Sequence, residues 1–201
     1  MGMALPPLPP GVHIGSQLAP PSLRWPTGIA PIDRFLRGGI PRGTLVELFF
    51  PQGGSSLWIA QLLWVLPQKG ILPALVDGSF SFDPPSAFPP EHYPPFLWVQ
   101  CQSLHQALQA AQELLHGGDF PLVLLDVVGN SLKELYRVSL SQWFSLAGKA
   151  RKGSSTLLVF SPLPHLLPHG ERYCIEASFS WEDLLKPREE LWERFFCQET
   201  P

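Results

Sequence analysis

Apolar residues in this chain fall into short continuous runs separated by turn residues. Thr44-Leu-Val-Glu-Leu-Phe-Phe50 lies between Arg42-Gly43 and Pro51-Gln-Gly-Gly54, and this β-branched and aromatic run predicts a strand between turns. Residues 55–66 (SSLWIAQLLWVL) place their apolar positions at helical rather than alternating spacing, and Pro67 with Gly70 is expected to stop that helix. Leu72–Asp77, Phe96–Val99, Pro121–Asp126 and Thr156–Phe160 read as further strands, and Tyr173–Phe179 as a sixth. Residues 103–115 (SLHQALQAAQELL) predict a helix with Ser103 as N-cap and Gly117-Gly118 as its stop. A second amphipathic helix is expected over 131–151, and a third over Trp181–Phe196.

Strands that alternate with helices make βαβ units and a parallel sheet. The strand runs are apolar on both faces, as expected when helices cover both sides. The pattern therefore predicts an α/β fold, a three-layer sandwich with a mainly parallel central sheet. In such sheets ligands bind beyond the carboxyl ends of the strands. Pro51–Ser56, Asp77–Asp83, Asp126–Asn130 and Ser161–His169 are expected to converge on that edge.

The 201 residues suffice for one domain, and 45% apolar content can build a core without staples. The 24 prolines change the picture, because they cluster at Pro6–Pro31, Pro84–Pro95 and Pro162–Pro168. Proline is excluded from helix interiors and central strands. Residues 1–23 therefore read as a proline-rich extended arm, 24–180 as the α/β domain and 181–201 as a helical tail. A net charge of −3 argues against a protein held on nucleic acid by bulk positive charge. Cys101, Cys174 and Cys197 form no CxxC pair, so a reducing cytoplasm is the expected compartment. The longest apolar stretch, Leu57–Leu66, is too short to span a bilayer, and the N-terminus lacks the basic region of a secretory signal.

The order strand, glycine-rich turn, helix over 44–66 is the layout of a phosphate-binding loop, in which backbone N–H groups and a helix N-terminus face an anion. The flanking text carries a resemblance. Trp25-Pro-Thr-Gly-Ile-Ala-Pro-Ile-Asp-Arg-Phe-Leu-Arg-Gly-Gly-Ile-Pro-Arg-Gly-Thr-Leu-Val-Glu-Leu-Phe49 resembles the opening segment of the RecA recombinase core. Ala74-Leu-Val-Asp-Gly-Ser-Phe-Ser-Phe-Asp-Pro84 is similar to that family's second strand and acidic loop, and Val123-Leu-Leu-Asp126 to its Walker B strand. The resemblance covers roughly residues 25–165 and implies a RecA-like fold.

The departures bear on function. Phe50 stands where the family's loop begins with Gly, Ser56 where it has the phosphate-binding Lys, and Leu57 where it has the magnesium-binding Thr. Ser79 stands at the position of the catalytic Glu, and Ser161-Pro162 replaces a nucleotide-sensing Asn-Gln pair. Phosphoryl transfer depends on such positioning and charge, so the resemblance implies a vestigial loop (Pro51, Gln52, Gly53, Gly54, Ser55, Ser56), a vestigial Walker B Asp126, no catalytic residues, no cofactor and no ATP hydrolysis. A RecA-like core without these parts resembles ImuA-like proteins, accessories of a damage-induced mutagenesis cassette, and secondly SulA-like division inhibitors that bind FtsZ. The first resemblance implies an ImuB-like polymerase homologue or RecA as partner. A RecA- or RadA-type ATPase with an atypical site is the enzymatic alternative.

Gly53-Gly54-Ser55-Ser56, without the essential lysine, reads as a structural strand-to-helix turn with Ser55 or Ser56 capping the helix in preference to a nucleotide loop. His165 and His169 are four apart but bracketed by Pro164 and Pro168, and with His92 they make no metal set. Lys149, Arg151 and Lys152, and Arg24, Arg34, Arg37 and Arg42, are two basic clusters that offer weak DNA contacts or simply solvated charge. Trp181, Leu184, Leu185, Leu191, Trp192, Phe195 and Phe196 give the tail a strongly apolar helical face, with Leu191 and Phe195 at i and i+4. That face is the leading candidate for partner binding. Composition carries no signal for oligomeric state.

Overall fold

β1 (Arg24–Trp25) and β2 (Ile40–Pro41) pair antiparallel across α1 (Ala30–Phe35), in the computed structural model that describes residues 24–199. The proline-rich arm assigned to residues 1–23 lies outside the described residues. The turn into α1 is tied by Asp33, whose Oδ1 accepts from Thr27 N at 2.6 Å and Thr27 Oγ1 at 2.7 Å, and whose Oδ2 accepts from Gly28 N at 3.1 Å. Gly39 has φ +117°, and a Cβ there would lie 2.0 Å from the Trp25 carbonyl oxygen, so only glycine lets β1 and the loop before β2 meet.

The main sheet follows. In chain order its parts are β3 (Leu45–Phe49), α2 (Ser55–Gln68), β4 (Pro73–Asp77), α3 (Pro84–Ala87), β5 (Leu97–Gln100), α4 (Leu104–Gly117), β6 (Leu122–Asp126), α5 (Leu132–Leu135), α6 (Leu140–Gly153), β7 (Thr156–Ser161), β8 (Glu171–Ala177), α7 (Arg188–Leu191) and β9 (Phe195–Glu199). The strands lie in the order β5-β4-β6-β7-β3-β8-β9. Every neighbouring pair from β5 to β8 is parallel, and β9 pairs antiparallel with β8.

Period-two alternation divides the strand side chains between two cores. Val46, Leu48, Leu122, Leu124, Leu158 and Phe160 face α2, while Leu45, Val123, Leu125, Leu157 and Val159 face α4 and α6. The result is the three-layer α/β sandwich with a RecA-like, mainly parallel sheet. Thr156 joins the small pair to it, donating Oγ1–H to Pro41 O at 2.9 Å and accepting from Gly43 N at 3.0 Å.

Three elements differ from expectation. α2 runs through Pro67 to Gln68, because a proline in the last turn forfeits only one helical bond; Lys69 and Gly70 then close the end on Leu66 O and Pro67 O. The helix expected over 131–151 is two helices, since Ser139 starts a new one. Its Oγ accepts from Gln142 N at 3.4 Å while Gln142 Oε1 accepts from Ser139 N at 3.1 Å, a complete capping box. The helix expected over Trp181–Phe196 is broken into single turns, a 3₁₀ turn at Asp183–Leu185, α7, and a second 3₁₀ turn at Trp192–Arg194, before β9 joins the sheet.

Candidate functional site

The turn between β3 and α2 lies at the carboxyl edge, beside the ends of β7 and β8. Gly53 and Gly54 both have left-handed backbones, at φ +83° and +93°, which turns the chain into α2 without a side-chain cap. Neither Ser55 nor Ser56 caps the helix, because Gly54 occupies the cap position. Aromatic rings line the Gly54 side of the turn, while Pro51 and Gln52 are exposed and a Cβ on Gly53 would meet nothing within 4 Å. A Cβ on Gly54 would lie 3.1 Å from Phe195 Cε1 and 3.6 Å from Phe179 Cε2. Phe195 packs edge-on against Trp58 and Phe179 and stacks on Trp192, with centroids 6.2, 5.3 and 5.6 Å away. Phe50 stacks on Phe160 at 5.8 Å, and Gln52 Oε1 accepts from Ala177 N at 3.3 Å. Ser56 is exposed and Leu57 half-buried, so the first turn of α2 offers hydroxyls and no cation. A magnesium–triphosphate loop places a lysine on the phosphates and a hydroxyl on the metal; here Ser56 and Leu57 stand at those two positions.

Two carboxylates end neighbouring strands, in the register Asp77↔Asp126. Both are buried and both turn the chain. Asp77 accepts from Ser81 N at 3.0 Å and Phe82 N at 2.9 Å, and Asp126 Oδ1 accepts from Val128 N at 3.0 Å. Burial pushes the Asp126 carboxyl up to about 6; the Val128 N–H bond works against that shift, and the nearby Asp77 charge adds to it. Gly78 N donates to Asp126 O at 2.9 Å and Asn130 Nδ2 to Gly78 O at 2.8 Å, so the loops after β4 and β6 are sewn together. Phe50 N donates to Ser161 O and Val127 N to Phe160 O. The loops after β4 and β6 are therefore joined by hydrogen bonds, and the ends of β3, β6 and β7 lie side by side at the same edge.

A buried acid that the strand pattern did not single out is Glu47, 1% exposed in the middle of β3. Its carboxylate accepts from Leu166 N at 2.9 Å and Leu167 N at 3.0 Å, and Arg172 Nε lies 3.7 Å away. Burial raises its pKa, with the Leu167 and Leu166 N–H bonds and Arg172 opposing. It holds the β7–β8 loop against the sheet. A charged residue inside an apolar strand was the available signal.

The tail residues named for partner binding do not share a helical face. Phe195 is 4% exposed and begins β9, because its ring is taken up by the β3–α2 turn. Leu191 and Trp192 are half-buried, whereas Trp181, Leu185 and Phe196 are exposed; Leu184 lies in the turn with Leu185. The organiser of this segment is Asp183, 1% exposed. It accepts from Ser180 N and Oγ at 2.8 and 2.9 Å, from Lys186 Nζ at 2.7 Å and from Arg194 at 3.1 Å. Lys186 first, then Ser180 and Arg194, hold its carboxyl well below the usual range.

The other candidates have local partners. Arg24 pairs with Glu171 at 3.3 Å and Gly39 O at 3.1 Å, and Arg42 lies 3.5 Å over the Trp25 ring, so half of that basic cluster is engaged within the fold. Lys149, Arg151 and Lys152 lie towards the C-terminal end of α6, where cations suit the helix dipole. His169 stacks on Phe144 at 4.9 Å. Among the described residues no three His, Cys, Asp or Glu side chains gather as a metal site requires, and no helix is long and apolar enough to cross a membrane. Cys101 is buried, and Cys174 and Cys197 are half-buried.

No protein-family model matches the chain. By sequence it is similar to RecA proteins. It is 30% identical to Protein RecA of Kineococcus radiotolerans over 127 residues, which is 58% of this chain and 34% of that protein. With Protein RecA of Chloroflexus aggregans it shares 30% identity over 119 residues, 58% of this chain and 33% of the relative, and with that of Borreliella afzelii 30% over 93 residues, 45% and 26%. The matches span about a third or less of the length of these relatives. Partial identity and a shared α/β architecture together support a RecA-like relationship.

Proposed function

We propose that this chain is a non-catalytic, cytoplasmic RecA-like accessory protein that acts in DNA-damage tolerance by binding other proteins, in the manner of ImuA-like proteins. The observation that supports this reading is the aromatic packing on the Gly54 side of the β3–α2 turn. Phe195 and Phe179 lie against Gly54, and Ser56 and Leu57 stand in place of a phosphate-binding lysine and a magnesium-binding threonine. A developing γ-phosphate charge would meet no local cation, and water would meet no orienting glutamate, since Ser79 stands at that position. The expected partners are an ImuB-like polymerase homologue or RecA, and DNA contacts are weak.

The test is a calorimetric titration of the full chain with ATP and Mg²⁺, paired with a hydrolysis assay. No saturable binding at micromolar nucleotide and no steady turnover are expected. Micromolar affinity with turnover overturns the reading in favour of a RecA- or RadA-type ATPase. Binding assays with purified ImuB-type protein, RecA and FtsZ then separate the partners, and binding to FtsZ alone favours a SulA-like division inhibitor.

A further inference from the structure

The outer face of α2 carries an apolar groove. Gln61, Trp64 and Gln68 stand at i, i+3 and i+7 along that face and form the floor, and the proline-rich loop over 84–95 forms the wall. The groove holds about 780 Å³ where Phe88 and Trp192 line it and continues for about 360 Å³ past Tyr93, with Trp64 and Gln68 lining both parts. Packing sets its rings in place. Trp64 stacks on Phe88 with centroids 6.2 Å apart, and Phe88 meets Tyr93 edge-on at 6.2 Å. Trp64 is half-buried and Tyr93 is 51% exposed, so both still offer ring surface. No Asp, Glu, Lys or Arg lines either part.

The chain supplies a segment of the same character. Residues 1–23 contain six prolines and no Asp, Glu, Lys or Arg, whereas 15% of the whole chain is charged. Segments that stay solvated are rich in charge and poor in aliphatic side chains. Leu5, Leu8, Val12, Ile14, Leu18 and Leu23 give this one the opposite composition. Leu5-Pro-Pro-Leu-Pro-Pro10 repeats leucine and proline every three residues. Three residues make one turn of a polyproline helix, so in that conformation Leu5 with Leu8, and Pro6 with Pro9, would share single edges. Proline-rich segments of this kind are recognised by grooves lined with aromatic rings.

The segment also joins the fold within reach of the groove. It is followed by Arg24, and Gly28, four residues on, lines the groove against α2: a Cβ there would stand 2.8 Å from Val65 Cγ2 and 3.1 Å from Gln61 Nε2. Residues 11–23, fully extended, span about 45 Å, against about 21 Å for the whole of α2. The hollow beside Arg24 itself is lined by Arg24, Arg37, Glu171 and Arg172, whose charges an uncharged segment would not match. We propose that Leu5–Pro10 docks in the α2 groove of its own chain, with its proline edge on Trp64 and Tyr93. The preset rings lower the entropy cost of that contact, and the tether raises the local concentration of the segment.

The experiment is fluorine NMR on the full chain labelled with fluorotryptophan, the Trp64 resonance being assigned by its loss in Trp64→Phe. Leu5→Asp together with Leu8→Asp is expected to move the Trp64 resonance and to leave those of the buried Trp58 and Trp143 in place. A synthetic peptide of residues 1–23 is then expected to shift Trp64 saturably in that double variant and to leave wild type unchanged, since its groove is already filled. Adding Tyr93→Ala to the double variant is expected to weaken the peptide severalfold. In wild type the Trp64 position is expected to be the same at low and high protein concentration, with a monomer mass in sedimentation velocity. A Trp64 resonance indifferent to the two aspartates overturns the proposal, as does a peptide that fails to bind the double variant or binds wild type as tightly. A Trp64 shift that grows with protein concentration alongside a dimer mass overturns it in favour of arm exchange between copies.

Discussion

The two sides of the sheet treat phenylalanine in opposite ways. On the α2 side Phe195 is 4% exposed, packed against Phe179, Trp58 and Trp192 and against the Gly54 side of the β3–α2 turn. On the α6 side Phe144 is 55% exposed and touches His169 alone among the ring contacts of the described residues. The difference teaches where the fold has closed a surface and where it has left one. The buried ring lies beside a turn that in phosphate-binding folds faces an anion, and the open helix face belongs to a region that most domains would dress in polar residues.

The comparison breaks most sharply at Phe195. Phe195→Ala removes a buried aromatic ring and is expected to cost about 3–5 kcal/mol, read as a lower urea midpoint; a loss under about 1 kcal/mol would mean that the tail does not pack on the turn. Glu47→Ala comes next. It strips Leu166 N and the buried Leu167 N of their acceptor and Arg172 of its ion-pair partner, for an expected loss of about 3 kcal/mol. Glu47→Gln, which keeps one acceptor oxygen, is expected to recover part of that in the same assay.

Asp126→Asn should act in the other direction. Folding raises the Asp126 pKa from 3.8 to about 6, so the native state binds its proton more tightly than the unfolded chain. The penalty for ionising it is absent at acid pH, grows as pH rises through that interval and is complete above it. Asparagine retains an oxygen for Val128 N, so the variant is expected to gain about 2 kcal/mol over wild type at neutral pH and nothing at acid pH. Equal stability differences at both pH values would remove the burial argument.

Phe144→Ser is the smallest effect and the counterpart of the first. An exposed side chain contributes little to the folded monomer, so a change within about 0.5 kcal/mol is expected in dilute solution. A change as large as that of Phe195→Ala would show the α6 side to be as closed as the other.

Much of this fold was legible in the chain because strands buried on both faces must be continuously apolar. β3, β4, β6 and β7 follow the runs at 44–50, 72–77, 121–126 and 156–160 to within a residue or so, and Ser103 caps α4 as its position suggested. The tail was not legible, for a definite reason. Leu191 and Phe195 at i and i+4 imitate a helix, but Phe195 is recruited by a turn about 140 residues earlier, and no local pattern reports that contact. The Asp183 hub was likewise invisible, since one acid among five in residues 181–196 announces nothing until Lys186 and Arg194 close on it. The break at Ser139 was readable in principle, because Ser-x-x-Gln is a helix-start signature, yet amphipathicity on both sides concealed it. At the candidate site the glycine-rich turn and Asp126 were visible as types, while the rings that pack on one and the hydrogen bonds that occupy the other came only with the fold.

The placement of β9 carries a consequence for how the molecule is made. A ribosome delivers the chain from its N-terminus, and by Ser180 every parallel strand has emerged while the strand bearing Phe195 has not. During that interval Trp58 and the glycine turn face water, and an unsatisfied sheet edge along β8 is available to any extended segment nearby. The last step in completing the sheet is thus the pairing of β9 on β8, which closes that edge and buries Phe195 at the same time.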